Sequence, residues 1–251
     1  MRRIMLVTAY DGTDYCGFQI QNNGITVQGV LNSVLSEWLS EDIKTSGASR
    51  TDAGVHSRCN IVVFDTGSQI PGDKYAFGLN ARLPEDIRIR HSCEVSPDFR
   101  PRSARTVKTY AYRIQNGRFQ DPIIRRDHYF CHWDLDIDAM RSAARALTGT
   151  HDFESFAAVG HSSLTTVRTI YDIKINREGE LITITVTGDG FLYNMVRIIA
   201  GTLMEIGKGN IPADAVPAML EACSRDAAGP TAPACGLTLE RIDYPDYDFE
   251  Y

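Results

Sequence analysis

No stretch of this sequence holds the roughly 18 uninterrupted apolar residues that a membrane-spanning helix needs. The apolar run behind the two arginines of MRRIMLVTAYDGT is broken at Asp11, too early for a signal peptide. It reads instead as a first β-strand, in a cytoplasmic protein. Six cysteines are present, Cys16, Cys59, Cys93, Cys131, Cys223 and Cys235, but none forms a C-x-x-C pair or a Cys/His spacing suited to zinc. Reduced, structural thiols and no metal site are therefore expected. The sequence also lacks a P-loop, a G-x-G-x-x-G turn and a G-x-S-x-G elbow. This removes the commonest nucleotide-binding and serine-hydrolase readings. There is no low-complexity linker and no short-period repeat.

What is present is ordinary globular composition: 251 residues, 43% hydrophobic and 23% charged, enough for one large domain or two smaller ones. The net charge is −6, unpromising for a nucleic-acid partner, but its distribution is uneven. From Arg82 to Arg126 there are 11 Lys and Arg against 5 Asp and Glu, so this segment carries +6 and the remainder −12. Such segregation suits one positive face on an acidic whole, and equally a set of dispersed, solvated arginines.

RRIMLVTAY, CNIVVF, DIRIRHSCEV and TVKTYAYRI read as strands. In TVQGVLNSVLSEWLS the apolar residues Val27, Val30, Leu31, Val34, Leu35 and Trp38 follow helical spacing, with Thr26 placed to cap. DIDAMRSAARALTG, FLYNMVRIIAGTLMEIGKG and PADAVPAMLEAC read as helices. TTVRTIYDIKI and LITITVTG form a hairpin about NREGE, and GLTLERIDY closes as a strand. Strands and helices run twice, before and after about residue 100, which predicts an α+β fold with mainly antiparallel sheets. The boundary is expected near RPRSART, giving halves 1–104 and 105–251.

Two short motifs fail on inspection. DGT at Asp11 would need a nucleophilic aspartate two residues earlier, where Ala9 stands. FDTGS at Asp65 would need a second such signature, because aspartic-protease chemistry takes two carboxylates. His56, His151 and His161 are candidate bases, though lone histidines more often serve structure. ASRTDAGVHS is the more unusual run. Asp52 lies on a loop of small residues, two after Arg50, and a nearby guanidinium favours the ionised carboxylate. Such a group suits a nucleophile or an electrostatic stabiliser and cannot donate a proton. A turn with a surface ion pair has the same composition. On the long helix Asn194, Arg197, Gly201, Glu205 and Lys208 share one stripe in an otherwise apolar segment. Arg197 there needs a carboxylate or phosphate, and periodicity favours a partner on its own helix, such as Glu205, or a surface acid. Tyr110 lies beside the basic run, as a base-stacking ring would, but also as any ring of a strand core would.

YDGTDYCGFQIQ, SRTDAGVHS, NARLPEDIRI, KTYAYRI, HDFESF, FLYNMVRIIAGTLMEIGKG and GLTLERIDYP occur in that order between about residues 4 and 245. Together they resemble the A-type tRNA pseudouridine synthases, which modify the anticodon arm. The resemblance implies two α/β halves whose antiparallel sheets join into one extended sheet, with helices packed on one side and an active-site cleft between the halves. It also implies a homodimer gripping tRNA. Asp52 is then the catalytic aspartate, Tyr110 stacks on the target uracil, and Arg197 pairs with Asp52. Arg50, Arg58, Arg102 and Lys108 serve RNA positioning. No cofactor, metal or energy source is implied.

The sequence departs from the family pattern in places. Ser49 stands where glycine is usual, Phe99-Arg100-Pro101-Arg102 where F-H-A-R is usual, Lys108-Thr109 where a basic pair is usual, and Ala157 where arginine is frequent. These touch individual phosphate contacts rather than the chemistry. Two rival readings are a non-catalytic tRNA-binding or tRNA-folding protein on the same scaffold, and a hydrolase using Asp65 or Asp52.

Overall fold

The structure, a computed structural model, describes residues 1–160 and 163–249. The described chain is α+β and divides into two compact units, residues 1–106 with 239–251, and residues 107–238.

In the first unit, strand β1 (Arg2–Tyr10) lies between β3 (His56–Thr66) and β4 (Ile87–Val95), antiparallel to both. A two-residue strand β2 (Ser46–Gly47) pairs antiparallel with β3. Helix α1 (Val27–Leu39) forms where the apolar spacing predicts, and Thr26 caps it by accepting the Gly29 N–H. It ends at Ser40, which takes the left-handed conformation. Ile4, Leu6, Val62 and Phe64 of the sheet pack with Val27, Leu31 and Leu35 of α1. Tyr75 and Leu79 of a short helix α2 (Tyr75–Asn80) join that core. Met5, Val7, Ile61 and Val63 alternate with these strand residues and are also buried.

In the second unit, β5 (Val107–Asn116) pairs antiparallel with β9 (Leu181–Gly188), which pairs with β8 (Val167–Glu178). The expected hairpin is thus β8–β9. Two short strands escaped the sequence reading: β6 (Tyr129–Cys131), parallel to β5, and β7 (Gly149–Asp152), antiparallel to β8. At three and four residues they are too short to show a period. Helix α3 (Ile137–Ala146) is capped by Asp136, whose carboxylate accepts from the N–H groups of Asp138 and Ala139. Helix α4 (Met195–Gly207) begins later than FLYN suggests, because Asn194 adopts φ +59° and helical geometry starts only after it. Helix α5 (Val216–Glu221) is short. The last strand, β10 (Leu237–Asp243), crosses the division between the units at residue 239. No helix among the described residues is long and apolar enough to cross a membrane.

Candidate active site

The loop of Asp52 is set by its backbone. Before it, the chain runs extended beside β3. Ser46 and Gly47 pair with Val63 and Val62, the Ala48 N–H donates to the Ile61 carbonyl (2.8 Å), and the side-chain amide of Asn60 brackets Ser49. Asn60 Nδ2 donates to Ser49 O at 2.9 Å and its Oδ1 accepts from Ser49 N at 3.2 Å. Behind the loop, Tyr10 is buried and its hydroxyl lies 2.7 Å from Thr51 Oγ1 and 3.3 Å from Asn60 Nδ2. Burial pushes the Tyr10 phenol up to about 12, so it remains a neutral strut at physiological pH.

The segment after β1 straps the loop down. Phe18 N donates to Thr51 O (3.0 Å) and Gly54 N to Tyr15 O (3.3 Å). Gly17 has φ +84°, and a Cβ there would stand 2.7 Å from Thr51 O, so only glycine fits beneath the aspartate. The turn closes with Val55 N donating to Asp52 O. Asp52 itself is half-buried. A carboxylate on a backbone bonded at so many points loses little entropy on meeting a substrate.

Of the cations expected near Asp52, Arg50 and Arg102 lie in the same unit as it. Desolvation and then the like charge of Arg102 push the Arg50 guanidinium below its ordinary value. Arg58 points out of β3, its Nε 3.4 Å from Glu240 Oε2. The two failed motifs have structural uses. Asp11 closes a turn by accepting from Thr13 N, and Asp65 accepts two hydrogen bonds from Arg3, at 2.8 and 2.6 Å. His56 is buried, with Nδ1 3.1 Å from both Gly12 N and Asp11 Oδ1, and His151 Nε2 lies 3.0 Å from Thr148 O. Both are tied into loops. His161 lies outside the described residues.

The second unit holds the other candidates. Tyr110 and Tyr112 share a face of β5, as alternation predicts, and both are buried, Tyr110 to 7% exposure. Phe191 meets the Tyr110 ring edge-to-face at 5.2 Å and fixes its plane. Lys108, half-buried, sits opposite Gly188 on β9.

Arg197 is half-buried on the first turn of α4. Its Nε donates to Ala232 O and its Nη1 to Asn194 Oδ1, each at 2.8 Å, while Ala232 N donates back to Arg197 O. The residue-230 segment can approach because position 201 is glycine: a Cβ there would lie 1.8 Å from Pro230 O. The partner on the same helix that periodicity favoured is engaged elsewhere. Glu205 accepts from Lys208 Nζ (2.8 Å) and Asn210 Nδ2 (2.7 Å). Burial works against the ionised Glu205, yet these donors hold its carboxyl below the ordinary value. Tyr112 and Cys235 are close enough to feel the positive charge of Arg197, although burial outweighs it and raises both groups.

A family model described as tRNA pseudouridine synthase matches residues 6–102 and 143–245. The tRNA pseudouridine synthase A of Acetivibrio thermocellus is 45% identical over 97% of this chain and all of its own length. That of Geobacter sulfurreducens is 43% identical over the same shares. That of Halalkalibacterium halodurans is 46% identical over 96% of this chain and 92% of its own. The chain belongs to the tRNA pseudouridine synthase family. Within this synthase Asp52, Arg50, Arg58, Arg102 and Arg197 fall inside the matched stretches, whereas Lys108 and Tyr110 fall between them. Sequence reasoning passed over most of the residues that hold the candidates in place: Tyr10, Gly17 and Asn60 for the Asp52 loop, Phe191 for Tyr110, and Ala232 for Arg197, while Asn194 was placed on the Arg197 stripe without its bonding role. Glycine in DYCGF and the asparagine preceding a helical run are the signals that pointed to them.

Proposed function

We propose that this synthase isomerises uridine to pseudouridine in the anticodon stem-loop of tRNA, with Asp52 as the group acting at the sugar. In this reaction the N1–C1′ bond breaks, the uracil turns, C5 joins C1′, and the C5 proton is finally replaced by one on N1. Uracil leaves as a delocalised anion, so the second, protonated carboxyl of a glycosidase pair is unnecessary. One ionised aspartate is sufficient, whether it attacks C1′ or removes the 2′ proton. The observation that carries this reading is the Asp52 loop, held by backbone and side-chain bonds from three segments within a chain matched to its family over nearly its whole length.

Arg197 serves as the counter-ion of Asp52. Its Nε and Nη1 are already oriented by Ala232 and Asn194, and a guanidinium has donors enough to bind a carboxylate as well. Tyr110 stacks on the extruded uracil, whose departure from its neighbours costs a few kcal/mol. Arg50, Arg58, Arg102 and Lys108 meet phosphates. The working form is a cytoplasmic homodimer. No cofactor takes part in this chemistry.

The deciding experiment incubates the protein with an unmodified tRNA transcript, without added metal or nucleotide, and maps pseudouridine in the product. Conversion within the anticodon stem-loop supports the reading. Tight binding without conversion returns the chain to the role of a tRNA-folding scaffold. Molar mass in solution tests the dimer.

A further inference from the structure

The cations of the first unit gather in a second place, beyond the Asp52 loop. A cavity of about 570 Å³ is lined by Arg3, Lys44, Ser46, Asp65, Arg100 and Arg102, among others. Arg3 is committed to Asp65, so the available positive charge comes from Lys44, Arg100 and Arg102. Lys44 lies 3.3 Å from Asp42, but both are largely in solvent, and such a pair is worth little. Arg100 donates through Nη1 to the carbonyls of Pro97 and Phe99, which turns its guanidinium along the loop.

This loop is braced. Tyr244 donates its hydroxyl to Pro101 O (2.9 Å), Arg3 Nη1 donates to Phe99 O (2.9 Å), and the Phe99 ring is ringed by Tyr244, Tyr247 and Phe249 at 4.9–5.1 Å. Cations held this way lose little entropy when an anion arrives. The cavity is also joined to the Asp52 loop. The extended segment from Lys44 to Asp52 runs along β3, with Lys44, Ser46 and Arg50 exposed and Thr45, Ser49 and Thr51 buried. Arg102 lines the cavity and also faces the charge of Arg50. From Ser46 to Asp52 the chain covers roughly 20 Å at about 3.3 Å per residue, the reach of several nucleotides.

We propose that this cavity is a subsite for a backbone phosphodiester of the RNA, several nucleotides away from the uridine that Asp52 attacks, with Lys44, Arg100 and Arg102 as its cationic walls. The inference rests on the proposed RNA substrate. Its occupant is a phosphate held by charge, read without regard to base.

The test compares the salt dependence of tRNA-transcript binding for the wild type, Lys44→Ala, the Lys44→Ala/Arg100→Ala pair, and Lys174→Ala. Lys174 is exposed in the second unit beside Asp172 and serves as the control. Each lost phosphate contact lowers the log–log salt slope by about 0.9. Lys44→Ala, which removes no bond from the loop, should lose about one unit of slope and the pair about two. KM for the transcript should rise several-fold, with kcat changing much less, and Lys174→Ala should match the wild type in both. Unchanged slope and KM in Lys44→Ala and the pair would overturn the proposal. So would inorganic phosphate stabilising the wild type but not Lys44→Ala while the tRNA slope stays fixed, since that marks a site for free phosphate. A wild type that binds tRNA yet makes no pseudouridine refutes the proposed reaction alone, and the slopes still decide the subsite.

Discussion

Arg197 and Asp65 illustrate how differently two charged side chains can be used. Two of the groups that orient Arg197 are neutral acceptors, Asn194 Oδ1 and Ala232 O, and the proposed reaction uses its charge on Asp52. Arg197→Ala is therefore expected to lower kcat by one to three orders of magnitude, the range of about 1.4–4 kcal/mol for an oriented electrostatic contact. Its affinity for tRNA should stay within a few-fold. Equal losses in kcat and affinity would instead make Arg197 an RNA anchor, and an unchanged rate would leave it a helix-face residue. Asp65 is spent on Arg3, whose hydrogen bonds hold the carboxyl below its ordinary value near 3.8. A folded-state value lower than the unfolded one gives stability that is present above the ordinary value and is lost as pH falls through the folded value. Asp65→Asn should thus be less stable than the wild type at about pH 7, and the difference should shrink at about pH 3. Unfolding midpoints at both pH values check this, and a gap of equal size at each would contradict it.

At the scale of elements, α4 depends on the absence of one methyl group. Alanine is better than glycine in a helix by about 1 kcal/mol, but at position 201 its Cβ would overlap Pro230 O at 1.8 Å. Backbone cannot yield as a side-chain tip can, so the clash outweighs the propensity gain. Gly201→Ala should lower stability by about 1–3 kcal/mol and, by displacing the Pro230–Ala232 segment, reduce turnover as well. A denaturation midpoint at or above that of the wild type would show that the segment moves freely. The same helix marks what sequence could convey. Its apolar period and the stripe containing Arg197 were legible, as were α1 and the β8–β9 hairpin, because each repeats its pattern over many residues. Its starting residue was not, since the left-handed turn at Asn194 is decided by packing rather than by period. Strands β2, β6 and β7 were invisible for lack of length. Asp52 was conspicuous as an acid among small residues. Its supports, Tyr10, Gly17 and Asn60, are distant in sequence or belong to a strand where they look ordinary.

At the scale of the whole molecule, an acidic chain is assigned to a polyanionic partner, so charge must act locally. The excess of cations between Arg82 and Arg126 is distributed over both units. Arg82 lies over the Trp38 ring and Arg118 over Phe119, while Arg100 and Arg102 line the first unit's cavity. Binding should therefore weaken steeply with salt, by about 0.9 in log–log slope per phosphate contacted, while kcat at saturating tRNA stays nearly constant. A slope near zero would mean that the contacts are chiefly to bases. The division of labour between phosphate-binding cations and one reacting carboxylate is tested most directly at Asp52. Pseudouridine is measured in an unmodified tRNA transcript after incubation with the wild type, Asp52→Ala and Asp52→Asn, with tRNA affinity measured in parallel. The expected result is conversion by the wild type, none by either variant, and affinities within a few-fold of one another. Retained conversion in either variant, or binding lost together with turnover, would contradict the role given to Asp52.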